Sequence, residues 1–255
     1  MNRPIKNPEL EASVLSVESD QGLNLQVPPK LSKPHPMVVE LSLYLRSKDK
    51  YYSKTDKLFN QGYTIDLSVG KKNWERALLV LDTFIKAIEQ RGHEIINKEG
   101  NTFALIFEEE LKIRFWEKSR FIENSQKTHG YREMELTGEL FIQYIKFGGY
   151  VERQWGDTPN TKLEDKLGRA IGSLEYIGKK EHEKRLEREE YWREQRRKEA
   201  IQKELNARKQ NEFNNFKILL SQSLRFEKAQ AIRAFVNHIE AHPHLNIEGT
   251  DNLQE

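Results

Sequence analysis

Apolar residues recur with two different periods along this chain, and the change of period marks its secondary structure. The segment YTIDLSV alternates every second residue, which places Ile65, Leu67 and Val69 on one face of a predicted strand. The segment KKNWERALLVLDTFIKAIEQRGH repeats apolar residues every three or four positions, which predicts an amphipathic helix ending at Gly92. Further strands are predicted in EIINK, TFALIFEE, LKIRFWEK, MELTGELFIQYIKF and YVERQW. The pattern predicts an α+β fold, an antiparallel sheet with a covering helix in the order β-α-β-β-β-β-α.

The amino-terminal region lacks such a pattern. Residues 1–35 show no sustained apolar period and hold five of the eight prolines, so we predict a flexible arm there. A short helix is predicted in HPMVVELSLYLRS, with Pro36 in its first turn. Helical apolar spacing resumes at Leu163 and fades after Gly178. We therefore expect the α+β domain to span residues 36–178.

Beyond Gly178 the chain is densely charged. Residues 179–212 hold 12 Lys/Arg and 9 Asp/Glu, a composition that sustains a solvated helix through pairs four residues apart. Apolar spacing then returns in what we call the C-terminal stripe, formed by Phe216, Leu220, Leu224, Ile232, Phe235 and Ile239. We predict an extended charged helix and a returning apolar helix over residues 179–242, followed by a tail at 243–255. The apolar helix either folds back as a hairpin near NARKQNEFNN or forms a homo-oligomer with a second chain.

Composition narrows the class of protein. Of 255 residues, 36% are hydrophobic and 32% are charged, and the mean hydropathy of −0.81 indicates solvated segments beside a compact domain. The absence of cysteine excludes disulfides, thiolate nucleophiles and cysteine-based zinc sites. No apolar run reaches the roughly 18 residues of a membrane span, and the amino terminus lacks a signal-peptide core. We therefore expect a cytoplasmic protein with no membrane partner. The net charge of +2 implies that any basic surface is local.

The stretch RQWGDTPNTKLEDKLG crowds a tryptophan, three acids and a proline around one turn, as catalytic loops do. A structural interpretation accounts for the same residues. Thr161 and Glu164 stand in the T-x-x-E relation of a capping box ahead of a helix, and Asp157 belongs to the turn before it. We favour the structural interpretation and keep a catalytic loop as the alternative.

Other catalytic patterns are weak. Glu108, Glu110 and Lys112 have the spacing of the E-x-K half of a metal-dependent nuclease, but no partner acid occurs in a suitable preceding strand. His238 and His242 lie one helical turn apart, yet Pro243 indicates that the helix ends there. No glycine-rich phosphate loop, Ser/His/Asp signature or dinucleotide fingerprint occurs. We expect no metal and no cofactor, and we lean away from an enzyme.

Basic residues cluster in two predicted loops, where lysines could neutralise phosphates and tyrosines could stack on unpaired bases. Acids are interspersed in both loops, so simple solvation is the competing explanation. The candidate nucleic-acid-binding residues of the first cluster are Arg46, Lys48, Lys50, Tyr51, Tyr52, Lys54 and Lys57. Those of the second cluster are Lys118, Arg120, Lys127 and Arg132.

The segments RALLVLDTFIKAIEQRGH, TGELFIQYI, RQWGDTPNTKLEDKLGRAIGSLE and KAQAIRAFVNHIEA resemble a widespread, largely uncharacterised bacterial family. Members often carry an amino-terminal helix-turn-helix segment, and many occur in mobile or variable genomic regions. Residues 1–35 contain no such two-helix unit, which weakens the DNA association that the resemblance implies. The resemblance carries over no catalytic residue. The order of elements is also similar to that of the TATA-box-binding fold, an analogy of fold alone.

These observations lead to three functional hypotheses. The first is a non-catalytic, DNA-associated accessory or regulatory protein of a mobile-element or antiviral-defence locus, acting on DNA or within a DNA-associated protein complex. The second is a protein-interaction or scaffold module that uses its long C-terminal helices in a coiled coil. The third is a metal-dependent nuclease.

Overall fold

A computed structural model describes residues 7–48, 57–59, 64–122, 134–146 and 148–242, with the backbone alone described at 57–59. The helices and strands follow one another as α1 Pro8–Glu18, α2 Pro36–Lys48, β1 Lys57–Phe59, β2 Leu67–Gly70, α3 Trp74–Gln90, β3 Glu94–Lys98, β4 Asn101–Ile106, β5 Glu109–Phe121, β6 Met134–Lys146, β7 Tyr150–Gly156 and α4 Leu167–Ala241. The α+β class and the predicted strand segments are confirmed. Five strands follow the covering helix α3, one more than the predicted order counts.

The strands form one seven-stranded sheet organised around β5. β5 pairs antiparallel with β6, and β6 pairs antiparallel with β7. β5 also pairs antiparallel with β4, and β4 pairs with β3. In addition, β5 pairs in parallel with β2, and β2 pairs with β1. The parallel pair exists because α3 crosses over between β2 and the antiparallel strands that follow it.

The hydrophobic core lies between one face of this sheet and the helices α3 and α4. Phe84 of α3 meets Phe115 of β5 edge to face, with ring centroids 5.4 Å apart. Gly178 of α4 lies against Ile106 of β4, where a Cβ atom would come within 2.7 Å of the Ile106 side chain. Each fully buried large aliphatic or aromatic side chain stabilises the fold by about 1.5–3 kcal/mol. This layer therefore carries most of the stability of the sheet.

Within the described residues 7–35, the amino-terminal region is not the flexible arm that we predict over residues 1–35. Residues 8–18 form α1, and Leu10, Val14 and Val17 are buried. α1 crosses α4 at Gly172, where a Cβ atom would lie 2.6 Å from the Val14 Cα atom. The Ser13 hydroxyl donates a 2.8 Å hydrogen bond to the Gly172 carbonyl oxygen. The prolines misled the prediction, because Pro8 occupies the first turn of a helix, a position that proline favours.

α4 is continuous for 75 residues. The predicted charged helix and the predicted returning helix are therefore one helix, and residues 206–215, where a hairpin would turn, are helical. The reason lies in the sequence, because residues 179–242 contain neither glycine nor proline to end the helix. All the buried residues of α4 lie between Leu167 and Gly178.

The chain divides into two units, Met1–Glu187 and Arg188–Glu255. The first holds the sheet and the core. The described part of the second, residues 188–242, is the remainder of α4. None of the helices in the described ranges combines the length and apolar composition of a membrane span.

Candidate nucleic-acid interface

The sheet carries a second set of large side chains on the face opposite the core. Along β4 and β5 the buried residues alternate with partly exposed ones, so both faces of these strands are rich in apolar residues. None of the large apolar residues of this second set belongs to the hydrophobic core or packs against it. We call this surface the open face and define it as Ile96, Phe103, Leu105, Lys112, Arg114, Trp116, Phe141, Gln143, Ile145 and Gln154.

Strand register arranges the open face in rows. In the first row, Phe103 lies beside Lys112, and Lys112 lies beside Ile145. The second row is polar and runs from Arg114 through Gln143 to Gln154. Because successive rows are two residues apart along a strand, they are separated by about 7 Å. The polar row thus lies between two rows that contain aromatic rings.

The third row is an aromatic pair, Trp116 on β5 beside Phe141 on β6. The ring centroids are 5.4 Å apart and the ring planes are tilted by 33°. Gly156 faces Phe141 on β7, and a Cβ atom there would lie 2.0 Å from the Phe141 ring. Gly156 therefore leaves the space in which the Phe141 ring lies.

Two cations occupy the middle of the open face. Within the described parts of the chain, the Lys112 ammonium makes no ion pair and no hydrogen bond. Arg114 makes no hydrogen bond there, and its Nε atom lies 3.6 Å from Oδ1 of Asp66, beyond hydrogen-bond distance. Burial raises the pKa of Asp66 above its ordinary value, against the opposing charges of Arg114 and Lys112. Lys112 is therefore available to bind an anion, and so are the Nη groups of Arg114, although that guanidinium already lies within ion-pair distance of Asp66.

Carboxylates limit this basic surface at one end. Lys98 pairs with Glu110 where β3 and β4 approach the start of β5. Phe103, Lys112 and Ile145 also line a groove that Glu109, Glu110 and Glu181 share with them. An anionic ligand would therefore lie over the Arg114 row and the aromatic pair rather than along that groove.

The first predicted basic cluster is only partly described. Arg46 and Lys48 lie in the last turn of α2, and the Lys48 ammonium lies 5.7 Å from the centroid of the Tyr44 ring. Lys57 falls in β1, where the backbone alone is described. Four predicted residues lie outside the described ranges, namely Lys50, Tyr51, Tyr52 and Lys54.

In the second predicted cluster the described cations are paired. Lys118 lies 3.0 Å from a carboxylate oxygen of Glu139, and Arg120 binds Glu135. Both glutamates are on β6, beside the strand that carries the two cations. Lys127 and Arg132 lie outside the described ranges. The described part of this cluster is therefore largely neutralised, unlike Lys112.

The suspected catalytic loop is a structural junction built around Asp157. Each carboxylate oxygen of Asp157 accepts two hydrogen bonds: Oδ1 from the Leu163 amide and Arg76, Oδ2 from the Leu140 amide and Arg76. Burial would raise the pKa of Asp157, but these bonds from Arg76, Leu140 and Leu163 hold it below the ordinary value. With its acceptor sites occupied, Asp157 cannot take a proton from a substrate.

The predicted capping box is displaced by one residue. Glu164 does not cap the helix; it binds the Nε and Nη2 atoms of Arg76 at 2.8 and 2.7 Å. The capping relation instead joins Lys162 and Asp165, with the Lys162 amide donating to Asp165 Oδ2 at 3.0 Å. The prediction of a Thr161–Glu164 box is wrong because a charge-assisted pair with Arg76 holds Glu164 more strongly than a backbone amide would.

The remaining catalytic candidates form no site among the described residues. Glu108 lies in the turn between β4 and β5 and pairs with Arg185, whereas Glu110 and Lys112 lie on β5. The rings of His238 and His242 are 4.6 Å apart. No group of three or more potential metal ligands occurs anywhere in the described ranges.

The sequence analysis missed the open face, although the signal for it is present. In LKIRFW, the inward residues Leu111, Ile113 and Phe115 alternate with two cations and Trp116. An outward row that mixes cations with large aromatics is unusual for a merely solvated strand face. No family model, curated protein or solved structure matches this chain.

Proposed function

We propose that this protein is a non-catalytic DNA-binding accessory protein that holds single-stranded DNA on the open face of its sheet. The observation that carries the proposal is the row of Arg114, Gln143 and Gln154 between rows that contain Phe103 and the Trp116–Phe141 pair. This combination suits unpaired nucleotides, whose bases stack on aromatic rings while their phosphates bind cations.

The polar row offers hydrogen bonds as well as charge. The amide of Gln143 donates to that of Gln154 at 3.1 Å, which orients both side chains across β6 and β7. The exposed Gln154 amide keeps further donors and acceptors that suit the edge of a base, whereas Gln143 is buried and positions it. Stacking would supply affinity, and the Gln154 amide would supply any preference among bases.

The cations on this face set the expected dependence on salt. Lys112 and Arg114 provide two phosphate contacts, and each contact with a single strand contributes about −0.7 to the slope of log K against log salt. We therefore expect a slope of about −1.4 from the open face. The basic residues of the 46–57 segment would make the slope steeper if they also bind the strand.

The test is a titration of the purified full chain into a labelled single-stranded DNA of about 15 nucleotides, a length at the upper end of the site size of a single binding fold. Fluorescence anisotropy would be recorded at several salt concentrations. We expect saturable binding that weakens with salt. The same measurement with RNA of matching sequence, and with duplex DNA, identifies the preferred strand.

Paired variants connect the binding to the open face. Lys112→Ala with Arg114→Ala should remove about 1.4 from the salt slope. Lys118→Ala with Arg120→Ala is the matched control, because those cations are paired with Glu139 and Glu135. Phe103→Ala should weaken binding by about 1–3 kcal/mol. Its control, Tyr150→Ala, removes an exposed aromatic ring that is not part of the open face.

Three results would contradict the proposal. They are no salt-dependent binding of the wild-type chain to any nucleic acid, equal losses in the control variants, and a clear preference for duplex DNA. The proposal also places the protein in a mobile-element or defence locus, and the genes that flank it in its native host test that part separately.

A further inference from the structure

The C-terminal stripe is exposed along the described part of its helix. Between residues 188 and 241 every residue is exposed except Gln195, Ala229 and Ile239, which are partly buried. Phe216, Ile232 and Phe235 are 60%, 64% and 60% exposed, and Leu220 and Leu224 are 51% and 50% exposed. A helix draws most of its stability from packing of its apolar face, so this helix needs a partner.

Part of the stripe recurs at intervals of 11 residues. Phe213, which extends it by one residue, is followed by Leu224 and Phe235 at intervals of 11. Eleven residues make just over three helical turns, so each of these three side chains is rotated by about 20° around the helix relative to the one before it. Phe213, Leu224 and Phe235 therefore share one side of the helix, as an interface with another long helix requires.

We infer that a second copy of this chain covers the stripe, running antiparallel to the first, with Leu224 at the two-fold axis. The inference is independent of the nucleic-acid proposal, because it concerns residues 213–239 and not the open face.

Four apolar residues lie symmetrically about Leu224. Phe213 and Phe235 are both 11 residues from it, and Phe216 and Ile232 are both eight residues from it. In an antiparallel pair centred on Leu224, Phe213 of one chain therefore faces Phe235 of the other, and Phe216 faces Ile232. An isologous interface of this kind matches these four side chains with apolar ones and Leu224 with its own copy, whereas Leu220 faces Lys228.

Charged residues beside the stripe decide whether the two helices run parallel or antiparallel. Lys217, Glu227 and Lys228 lie on the same side of the helix as Leu224. In a parallel pair in register, each of these residues would face its own copy, and like charges would meet three times. In the antiparallel pair they face Ala231, Ser221 and Leu220 respectively, positions that carry no charge. The ammonium of Lys217 already lies 4.4 Å from the centroid of the Phe213 ring, so its stem can cover apolar surface.

The area is sufficient for a specific dimer. Six or seven half-exposed side chains, each losing about 100 Å², would bury about 1,300 Å² over both helices. Specific protein interfaces bury about 1,200–2,000 Å². The stripe therefore offers an area within the range that specific interfaces bury.

Sedimentation velocity of the full chain, over a range of concentrations, tests the association. We expect a dimer for the wild type and a monomer for Leu224→Asp with Phe235→Asp. The matched control is Leu219→Asp with Phe226→Asp, since those residues are 64% and 62% exposed but lie on the opposite side of the helix. The control variant should remain dimeric.

Each contrary result overturns the inference. A wild-type monomer would show that the stripe binds something other than a second copy. A dimer that survives Leu224→Asp with Phe235→Asp would place the interface elsewhere, and so would a monomer in the control variant. Circular dichroism of the variants confirms that the first unit remains folded.

Cysteine cross-linking tests the direction, because the chain contains no cysteine of its own. Leu224→Cys should form a disulfide-linked dimer on oxidation. Phe213→Cys alone should not form one. In the antiparallel pair, residue 213 of each chain lies opposite residue 235 of the other, so the two copies of residue 213 are about 33 Å apart. Phe213→Cys together with Phe235→Cys should cross-link two chains. A dimer linked by Phe213→Cys alone would establish the parallel arrangement and overturn the antiparallel one.

Discussion

Arg76 on α3 holds Asp157 in a two-point ion pair, with Nη1 2.6 Å from Oδ2 and Nη2 2.8 Å from Oδ1. The Asp157 side chain is 1% exposed, and the Arg76 side chain is 25% exposed. The same guanidinium binds Glu164, just ahead of α4. Arg76 therefore joins the covering helix to the segment that connects the sheet with α4.

Loss of this arginine should destabilise the first unit strongly. Arg76→Ala leaves a buried carboxylate without its counter-ion, which costs about 3–5 kcal/mol when one partner of a buried pair is removed. Urea unfolding followed by circular dichroism measures the change. Arg153→Ala is the control, since Arg153 makes no ion pair within the described ranges, and it should change the free energy of unfolding by less than about 1 kcal/mol. Equal effects of the two variants would contradict a stabilising role for the ion pairs that Arg76 makes with Asp157 and Glu164.

The ion pairs of Arg76 also predict how the stability of the first unit depends on pH. The pKa values of Asp157 and Glu164 are held below their ordinary values of 3.8 and 4.5, because hydrogen bonds from Arg76 outweigh the effect of burial. The unfolded chain therefore takes up protons at a higher pH than the folded chain does. The stabilisation is complete above about pH 5 and is lost as the pH falls through 4.5 and below. Urea midpoints between pH 7 and pH 3 should fall in the wild type, and fall less in Arg76→Ala.

Gly172 permits the close approach of α1 to α4. In Gly172→Ala the new methyl group would meet the backbone of Ser13 and Val14 at 2.6–3.0 Å, so α1 must move away. We expect destabilisation even though alanine favours a helix by about 1 kcal/mol. Gly168→Ala is the matched control, since the nearest atoms there belong to the side chains of Glu18 and Leu25. Limited digestion by a glutamate-specific protease should cut α1 faster in Gly172→Ala only.

The turn between β4 and β5 holds two residues in the left-handed region, Phe107 at φ 52° and Glu108 at φ 65°. A non-glycine residue there costs about 1–2 kcal/mol. Glu108→Gly should therefore stabilise the protein by about 1 kcal/mol, because the exposed pair of Glu108 with Arg185 contributes little. Glu110→Gly, in the strand itself, should destabilise it by about 0.5–1 kcal/mol. Thermal unfolding distinguishes the two variants, and stabilisation by both would contradict the explanation.

The sequence by itself determined the regular elements of the sheet domain. The alternation in YTIDLSV and the helical spacing around Leu81 depend on local periodicity, which a single chain displays directly. The same local signals were less reliable at the ends of helices and in the segments that connect one element to the next. The prolines near α1 suggested an arm, and the T-x-x-E spacing suggested a cap, because neither signal reveals what packs against these residues from elsewhere in the chain.

Tertiary structure decided the features that depend on distant partners. Glu164 binds Arg76 across 88 residues of sequence, so no local rule could assign it. The open face exists because β4, β5 and β6 pair in one register, which brings Trp116 beside Phe141 and leaves Lys112 without an ion pair in the described ranges. Periodicity shows which residues share a side of one strand, but register between strands decides which residues of different strands become neighbours, and register is a property of the assembled sheet.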